Sequence, residues 1–521
     1  MTPRTRREFL SAVGQGMLVA GVGATVACDL GLTMARADDE QKPLSFGPLE
    51  PLVELMQETP VEQLLPALVE RLRQGTELKT LVAAAALANA RTFGGEDYVG
   101  FHTMMALAPA YHMATELAEG QRPLPVFKVL YRNTNRIAEH GGRRSEVLRS
   151  VEPASSRTGE SGQALQAAVR GKDVQAAERL FAASAKSSPG DAFNDLLFVV
   201  QDRTDVHRVV LPYRSWDLLA IIGEEHAHTL LRQSVRFCVQ NENHQPSPRG
   251  DDPRVVLPKL LDEYHLADNN RAAGSVAPGD EWVERMSQTI FRGTPSEAAE
   301  AAAAALAEGI AGDEVGEAIS LAANQLVLRD AGRRAREESP GKPIGSVHGD
   351  SIGVHACDSA NAWRNIARAA NPRNRCASLI LGAYQVALDR VDRGGDFLNW
   401  DPQPIARHLE QLAATDPQTL LAELDEAIRG NLQARASAVA HRYGQLGHPH
   451  RAVFELLLRF ATSEDGALHA EKYYRTVSEE FAATRTAFRW RQLTALARVT
   501  ASEYGRPAAG IPQARELLKL T

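Results

Sequence analysis

The chain has 521 residues, of which 44% are hydrophobic and 24% charged, and its formal net charge is −7. This acidic balance, without a long basic run, argues against a nucleic-acid-binding surface. The 4 cysteines include one in the N-terminal segment. The other three, an odd and sparse set, exclude a disulfide framework; they are Cys238, Cys357 and Cys376.

The first 37 residues have the pattern of an export signal. The twin arginine Arg6-Arg7 precedes an apolar, glycine-rich stretch over residues 13–27, and Ala35-Arg36-Ala37 has the small-x-small form of a signal-peptidase site. We therefore predict a Tat signal peptide over residues 1–37, export by the Tat translocase to the periplasm or another extracytoplasmic location, and no integral membrane segment in the mature chain. A membrane anchor is an alternative, although an apolar stretch of about 15 residues is short for one. A lipoprotein site at Cys28 is another, but the usual leucine three residues earlier is missing.

The rest of the chain has the pattern of an all-α protein. Apolar residues recur at the three-to-four spacing of helices in residues 78–91, 296–328, 375–391 and 452–460. Breaks that contain Pro, Gly and Ser predict loops at residues 141–161, 241–252 and 334–345. No segment shows, over more than a few residues, the alternation of apolar and polar side chains that is typical of a β-strand.

Comparison of the chain with itself indicates two diverged copies of one helical unit. At a shift of 253, Asp97 to His102 matches Asp350 to His355 in the pattern Asp-x-(Val/Ile)-Gly-x-His. At a shift of 243, His226-Ala227-His228 matches His469-Ala470-Glu471, and an arginine follows at the same distance in both. We predict a first copy over residues 38–290 and a second over residues 291–521, packed around a shared core as one catalytic domain.

Histidines at equivalent points of two copies are expected to meet if the copies pack around a pseudo-twofold axis. This predicts a metal centre that contains His102, His226, His355 and His469. On a helix over residues 215–240, His226 would face the core, but the choice between His226 and His228 stays open. Neutral imidazole suits iron, copper, zinc and nickel.

Several side chains near these histidines have alternative roles. Asp97 and Asp350, five residues before a histidine, could accept an imidazole N–H, although a helix N-cap is the favoured role. Glu225-x-x-His228 has the spacing of a di-iron motif, but the second copy offers no equivalent.

Three short elements resemble the questin oxidase-like family, whose fungal members oxidatively open an anthraquinone ring. His469-x-x-Lys472, within residues 464–474, resembles its C-terminal His-x-x-Lys element. Phe101-His102 resembles the family's early Phe-His element, and Val354-His355-Ala356 resembles its central element.

The resemblance implies an all-helical oxygenase in which four histidines and a CO2-modified lysine hold one non-haem iron. When the family's ligand set is applied to this sequence, the resemblance implies the ligands His102, His226, His355, His469 and the carboxylated Lys472. Residues three apart share a helix face, so His469 and Lys472 can reach one ion. The expected substrates are O2 and an aromatic or polyphenolic small molecule. The fungal enzymes would not need an export signal, so the family's own substrate does not transfer.

Two other functions stay open. The chain could be a non-catalytic periplasmic protein that binds a metal or ligand, or a helical scaffold in which the histidines serve packing. An open coordination position with an apolar pocket beside it would favour the enzyme. Copper or zinc could also occupy a site made of histidines.

Overall fold

The structure, a computed structural model, describes residues 42–155, 161–270, 272–340 and 342–520. These residues form 23 α-helices and no β-strand. The extended pairings among them are isolated bridges, such as that between Val276 and Ile310. The all-α prediction is therefore confirmed, whereas the predicted export signal lies outside the described residues.

The helices before residue 270 include two that carry candidate ligands. In chain order they are α1 (Glu50–Glu58), α2 (Val61–Arg73), α3 (Leu78–Phe93), α4 (Tyr98–Thr115), α5 (Pro123–His140), α6 (Ser161–Arg170), α7 (Val174–Ala185), α8 (Pro189–Val200), α9 (Val206–Ile222), α10 (Ala227–Asn241) and α11 (Pro253–Glu263). Every residue of α3 from Leu81 to Phe93 is buried. A helix buried on all sides belongs to the interior, and its alanines let neighbouring backbones approach closely.

The helices after residue 270 carry the other candidate ligands. They are α12 (Asp280–Arg292), α13 (Pro295–Ala307), α14 (Gly312–Arg329), α15 (Ile352–Ala369), α16 (Pro372–Arg393), α17 (Ala406–Glu410), α18 (Pro417–Arg429), α19 (Gln433–Gln445), α20 (His450–Ser463), α21 (Ala470–Ala483), α22 (Trp490–Glu503) and α23 (Ile511–Leu517).

The predicted helix over residues 296–328 is two helices, α13 and α14. The chain turns at Gly309, whose φ of 86° is a conformation that glycine adopts without strain. The other three helical segments each appear as one helix, α3, α16 and α20, and the three predicted breaks fall between helices.

Four helices, α4, α9, α15 and α21, surround the candidate site. Helix α9 packs against both α4 and α15, and α21 packs against the same two. Each of the four therefore has two neighbours in the order α4, α9, α15, α21. A bundle of this kind can direct side chains from every helix into a common interior.

From Leu44 onward the helices pack as one unit. The two-copy organisation is not confirmed, and the division between residues 290 and 291 stays a prediction. Within the described ranges, no helix combines the length and the apolar character needed to cross a membrane.

Candidate metal centre

Four histidines meet where the four central helices begin. His102 lies in the first turns of α4, His207 is the second residue of α9, and His355 lies in the first turn of α15. His469 immediately precedes α21 and occupies its N-cap position. The side chains of His102 and His469 are buried, whereas His207 and His355 are partly exposed.

The four imidazole rings form a closed quadrilateral. The ring centroids of His102 and His207 are 4.7 Å apart, and those of His207 and His355 are 5.9 Å apart. The centroids of His355 and His469 are 4.8 Å apart, and those of His469 and His102 are 5.2 Å apart. The order of the rings is the order in which the four helices pack, so the helix arrangement places them.

Two pairs of ring nitrogens are in direct contact. The Nε2 atoms of His355 and His469 lie 2.9 Å apart, and those of His102 and His207 lie 3.3 Å apart. Two imidazoles bound to one ion at about 2.1 Å place their nitrogens about 2.9 to 3.4 Å apart, for angles between a right angle and the tetrahedral value. Both distances therefore fit ligands of a shared ion.

The two pairs are not yet directed at one point. No group of three or more His, Cys, Asp or Glu side chains in the described part of the chain is arranged to hold a metal ion as it stands. Binding of one ion by all four histidines therefore requires the rings of the two pairs to turn toward each other.

The site keeps three of its imidazoles neutral, those of His102, His207 and His355. Burial, followed by the charge of Lys472, lowers the pKa of His207 to about 3. Burial, followed by the neighbouring His207 and Lys472, lowers the pKa of His355 to about 3. The same two causes, burial and Lys472, lower the pKa of His102 even further. Neutral imidazole is the form that binds metals.

The backbone fixes the tautomer of His102. Its Nδ1 atom lies 2.7 Å from the carbonyl oxygen of Tyr98, one turn earlier in α4. A carbonyl only accepts, so Nδ1 must donate and the lone pair of Nε2 is left to face the other histidines. His207 has a weaker orienting neighbour, because its Nδ1 atom lies 3.7 Å from Oδ1 of Asp205. Such contacts on the remote nitrogen orient metal-binding histidines.

Lys472 joins the site from the first turn of α21, three residues after His469. Its side chain is buried, and burial lowers the pKa of its amine to about 8. Its charge acts on His102, His207 and His355. The charge that favours its protonated form most is that of Asp358, which lies three residues after His355 on α15 and accepts a hydrogen bond of 2.8 Å from Thr476.

The structure does not place His226 with the other histidines. The predicted helix over residues 215–240 is broken, because α9 ends at Ile222 and Gly223, with a φ of 114°, starts a short 3-10 turn before α10. His226 therefore turns away from the core, partly exposed, and its Nε2 atom lies 3.8 Å from Oε1 of Glu225. The alternative, His228, packs elsewhere, stacked on Phe181.

His207 takes the place that sequence reasoning gave to His226. A signal for it exists, because Asp205 accepts hydrogen bonds from the backbone N–H groups of His207 and Arg208 as the N-cap of α9. An Asp cap followed closely by a histidine also begins α4. Asp358 was missed as well, although its spacing from His355 equals that of Lys472 from His469.

The two aspartates considered as caps behave differently. Asp97 is the N-cap of α4 and accepts a hydrogen bond of 2.7 Å from the Gly100 N–H. This is the role that the sequence favours for it. Asp350 is not a cap, since Ser351 occupies that position in α15. Asp350 instead binds Arg333 and Lys342.

A cavity of about 780 Å³ opens beside the centre and reaches His207. Tyr98 and Phe101, the residues that pack against the His102 ring, line its near side, and Phe237 and Tyr384 line other parts. Its volume lies within the range of small-molecule sites. The cavity thus reaches one of the four histidines, His207.

Comparisons with family models, with curated proteins and with solved structures found no match to this chain.

Proposed function

We propose that the protein is a mononuclear non-haem iron oxygenase that oxidises an aromatic or polyphenolic compound or cleaves its ring. The observation that carries the proposal is the meeting of His102, His207, His355 and His469. One of them, His207, lines a small-molecule cavity, and the charge of the buried Lys472 acts on three of them. The resemblance to the questin oxidase-like family supports it through His102, His355, His469 and Lys472. His207 replaces His226 as the proposed fourth histidine.

The residues of the chain divide the work between the ion and the substrate. The four imidazoles would hold Fe²⁺, which supplies the activation of O2 that side chains cannot perform. Lys472, as a carboxylated amine, would add an anionic oxygen ligand on the face of α21 that carries His469. Tyr98 and Phe101 would bind an aromatic ring against the centre, and their bulk would exclude water from it.

The test is metal content measured on the purified chain. We expect about one transition-metal ion per chain, and elemental analysis identifies it as iron rather than copper or zinc. His102→Ala, His207→Ala, His355→Ala and His469→Ala should each lower the occupancy severalfold while circular dichroism shows unchanged helix content. Loss of a histidine ligand commonly weakens a site by far more than changes around it, which cost about 10–100-fold.

His226→Ala is the matched control, because this histidine belongs to the same predicted set but lies away from the quadrilateral. It should keep the metal content of the parent protein. Equal loss in His226→Ala, or full occupancy in the four other variants, would exclude the proposed centre.

A scaffold without metal is the second candidate, and the direct Nε2–Nε2 contacts favour it. Two neutral imidazoles at 2.9 Å can share an N–H···N hydrogen bond, so the histidines could serve packing alone. In that case the four substitutions would lower the free energy of unfolding, and the purified protein would contain well under half an equivalent of any transition metal.

For the location, we propose export by the Tat translocase to the periplasm, on the twin arginine Arg6-Arg7. Arg6→Lys with Arg7→Lys should retain the protein in the cytoplasm, because recognition of the twin arginine tolerates that change poorly. Arg4→Lys is the control and should be exported normally. Cell fractionation measures both, and export of the double variant would contradict the proposal.

A further inference from the structure

The cavity beside His207 extends to the C-terminal part of α16, where Asp389 lines it. Its walls include the aromatic rings of Tyr98, Phe101, Phe237 and Tyr384. A flat aromatic molecule would therefore find ring contacts on several sides, and polar atoms at the wall would decide its orientation.

Most charged side chains on the wall already have partners. Glu96 pairs with Arg236, Asp251 accepts from Ser296 at 2.6 Å, and Asp392 accepts from Ser247 at 2.7 Å. Asp205 caps α9, and Arg254 pairs with Glu242. These groups are held by the protein and are not directed at a ligand.

Asp389 differs from these side chains. Its Oδ2 atom is covered from solvent and has no hydrogen-bond partner, although the residue as a whole is partly exposed to the cavity. The charged groups that act on it are Asp392, on the same helix, and Asp205, at the start of α9. Both are acidic, so neither stabilises an ionised carboxylate at this place.

We infer that the Asp389 carboxyl donates a hydrogen bond to an oxygen of the molecule bound in the cavity and so selects oxygen-bearing aromatic ligands. The inference rests on the proposed function only in taking the ligand to be aromatic. Burial, followed by the charges of Asp392 and Asp205, holds the pKa of Asp389 well above its ordinary value. A protonated carboxyl can carry its O–H on either oxygen, and an O–H on the side of the carboxyl that faces the cavity gains a hydrogen bond when a ligand oxygen lies there.

The experiment measures binding of two rigid probes, 9-fluorenone and fluorene, which differ by a carbonyl in place of a methylene. Equilibrium dialysis is carried out on chelator-treated, metal-free full chain whose helix content is verified by circular dichroism. We expect the parent protein to prefer fluorenone by about tenfold, the equivalent of one hydrogen bond. Because no metal is present, the result does not depend on whether the histidines bind iron.

Two substitutions separate donation from shape. Asp389→Asn keeps an N–H donor at nearly the same size and should keep most of the preference. Asp389→Leu removes the donor and should bring the two affinities to within about threefold of each other by weakening fluorenone alone. The matched control is Asp251→Asn on the same cavity wall, whose carboxylate already accepts from Ser296; it should leave the preference unchanged.

Three results would overturn the inference. They are equal binding of both probes to the parent protein, a preserved preference in Asp389→Leu, and no binding of either probe. If the histidine variants lose metal but one of these three binding results is obtained, the proposed metal centre stands and only the role of Asp389 is excluded. If the protein prefers fluorenone but the purified chain contains no transition metal, the inference of a ligand-binding cavity stands and the proposed oxygenase is excluded.

Discussion

Lys472 lies in the first turn of α21 with its side chain buried. Because burial lowers the pKa of its amine to about 8, a substantial fraction is neutral near pH 7.5. Only a neutral amine reacts with CO2, so this lysine meets a requirement for carboxylation that exposed lysines meet poorly. The modified side chain would carry a negative charge among the imidazoles and compensate part of the charge of a bound cation.

The first prediction at this scale concerns Lys472→Ala. We expect it to lower metal occupancy and O2-dependent turnover, because it removes the proposed anionic ligand. Lys472→Glu should retain part of the metal, since a shorter carboxylate lies on the same helix face. A carbonyl NMR signal from ¹³C-bicarbonate should appear in the parent protein and be lost in Lys472→Ala.

Lys259→Ala, at an exposed position of α11, is the control for that prediction. It should keep both the metal and the labelled signal, with a stability change within about 0.5 kcal/mol. Unchanged metal in Lys472→Ala would remove the lysine from the site and leave a centre made of histidines alone.

The geometry of the cluster follows only partly from the sequence. The sequence predicts that His102, His355 and His469 meet, and their rings do lie together. The structure places His226 apart from these rings, because Gly223 interrupts the helix, which the periodicity over residues 215–240 does not show. The sequence does not single out His207, because comparison of the chain with itself finds only residues that recur in the same local order. Which imidazoles meet depends instead on which helix N-termini converge.

At the scale of the element, the common feature of the site is that four helix N-termini converge. Each N-terminus carries a partial positive charge of about half an elementary unit. This charge disfavours an imidazolium and favours an anion, so the helix starts act in the same direction as burial on the histidine pKa values. It would equally favour a carboxylated Lys472, which lies within such a first turn.

The loop before α15 is held close to His469 by Gly349. A Cβ atom at this position would lie 2.8 Å from the His469 Cβ and 2.9 Å from the Gly466 carbonyl oxygen. We therefore predict that Gly349→Ala displaces His469 and lowers metal occupancy, although residue 349 is not a ligand. The cost in stability should be about 1–3 kcal/mol, as for other overpacked sites.

Gly279→Ala is the matched control, because a Cβ there has no atom within 4 Å. Elemental analysis and urea unfolding measure both variants. Full metal occupancy in Gly349→Ala, together with parental stability, would show that the loop accommodates the methyl group and does not position His469.

At the scale of the whole molecule, the helical class was predictable because apolar residues recur at helical spacing along the chain. The ring of α4, α9, α15 and α21 was not, because which helices become neighbours depends on contacts between distant parts of the chain. The central helices themselves read poorly as amphipathic, since α4 is buried on almost every side and an all-round apolar helix has no periodic face.

Glu503, at the end of α22, ties the last part of the chain to the loop before α15. Its Oε1 atom accepts a hydrogen bond of 2.7 Å from the Gly349 N–H, 154 residues away. Burial raises the pKa of this carboxyl to about 8. The folded protein therefore keeps a proton on Glu503 between about pH 5 and 8, whereas the unfolded chain loses it there.

This difference sets the sign of the last prediction. Because the folded state binds more protons, the free energy of unfolding should fall as the pH rises from about 5 to 8, with a contribution from this group of at most about 1.4 kcal/mol per pH unit. Glu503→Gln keeps an oxygen to accept from Gly349 but cannot ionise, so its unfolding free energy should fall less steeply and exceed that of the parent protein above pH 7. Urea unfolding at several pH values measures the two slopes, with the exposed Glu62→Gln on α2 as control. Parallel curves for the parent protein and Glu503→Gln would mean that Glu503 ionises at its ordinary pKa in the folded chain.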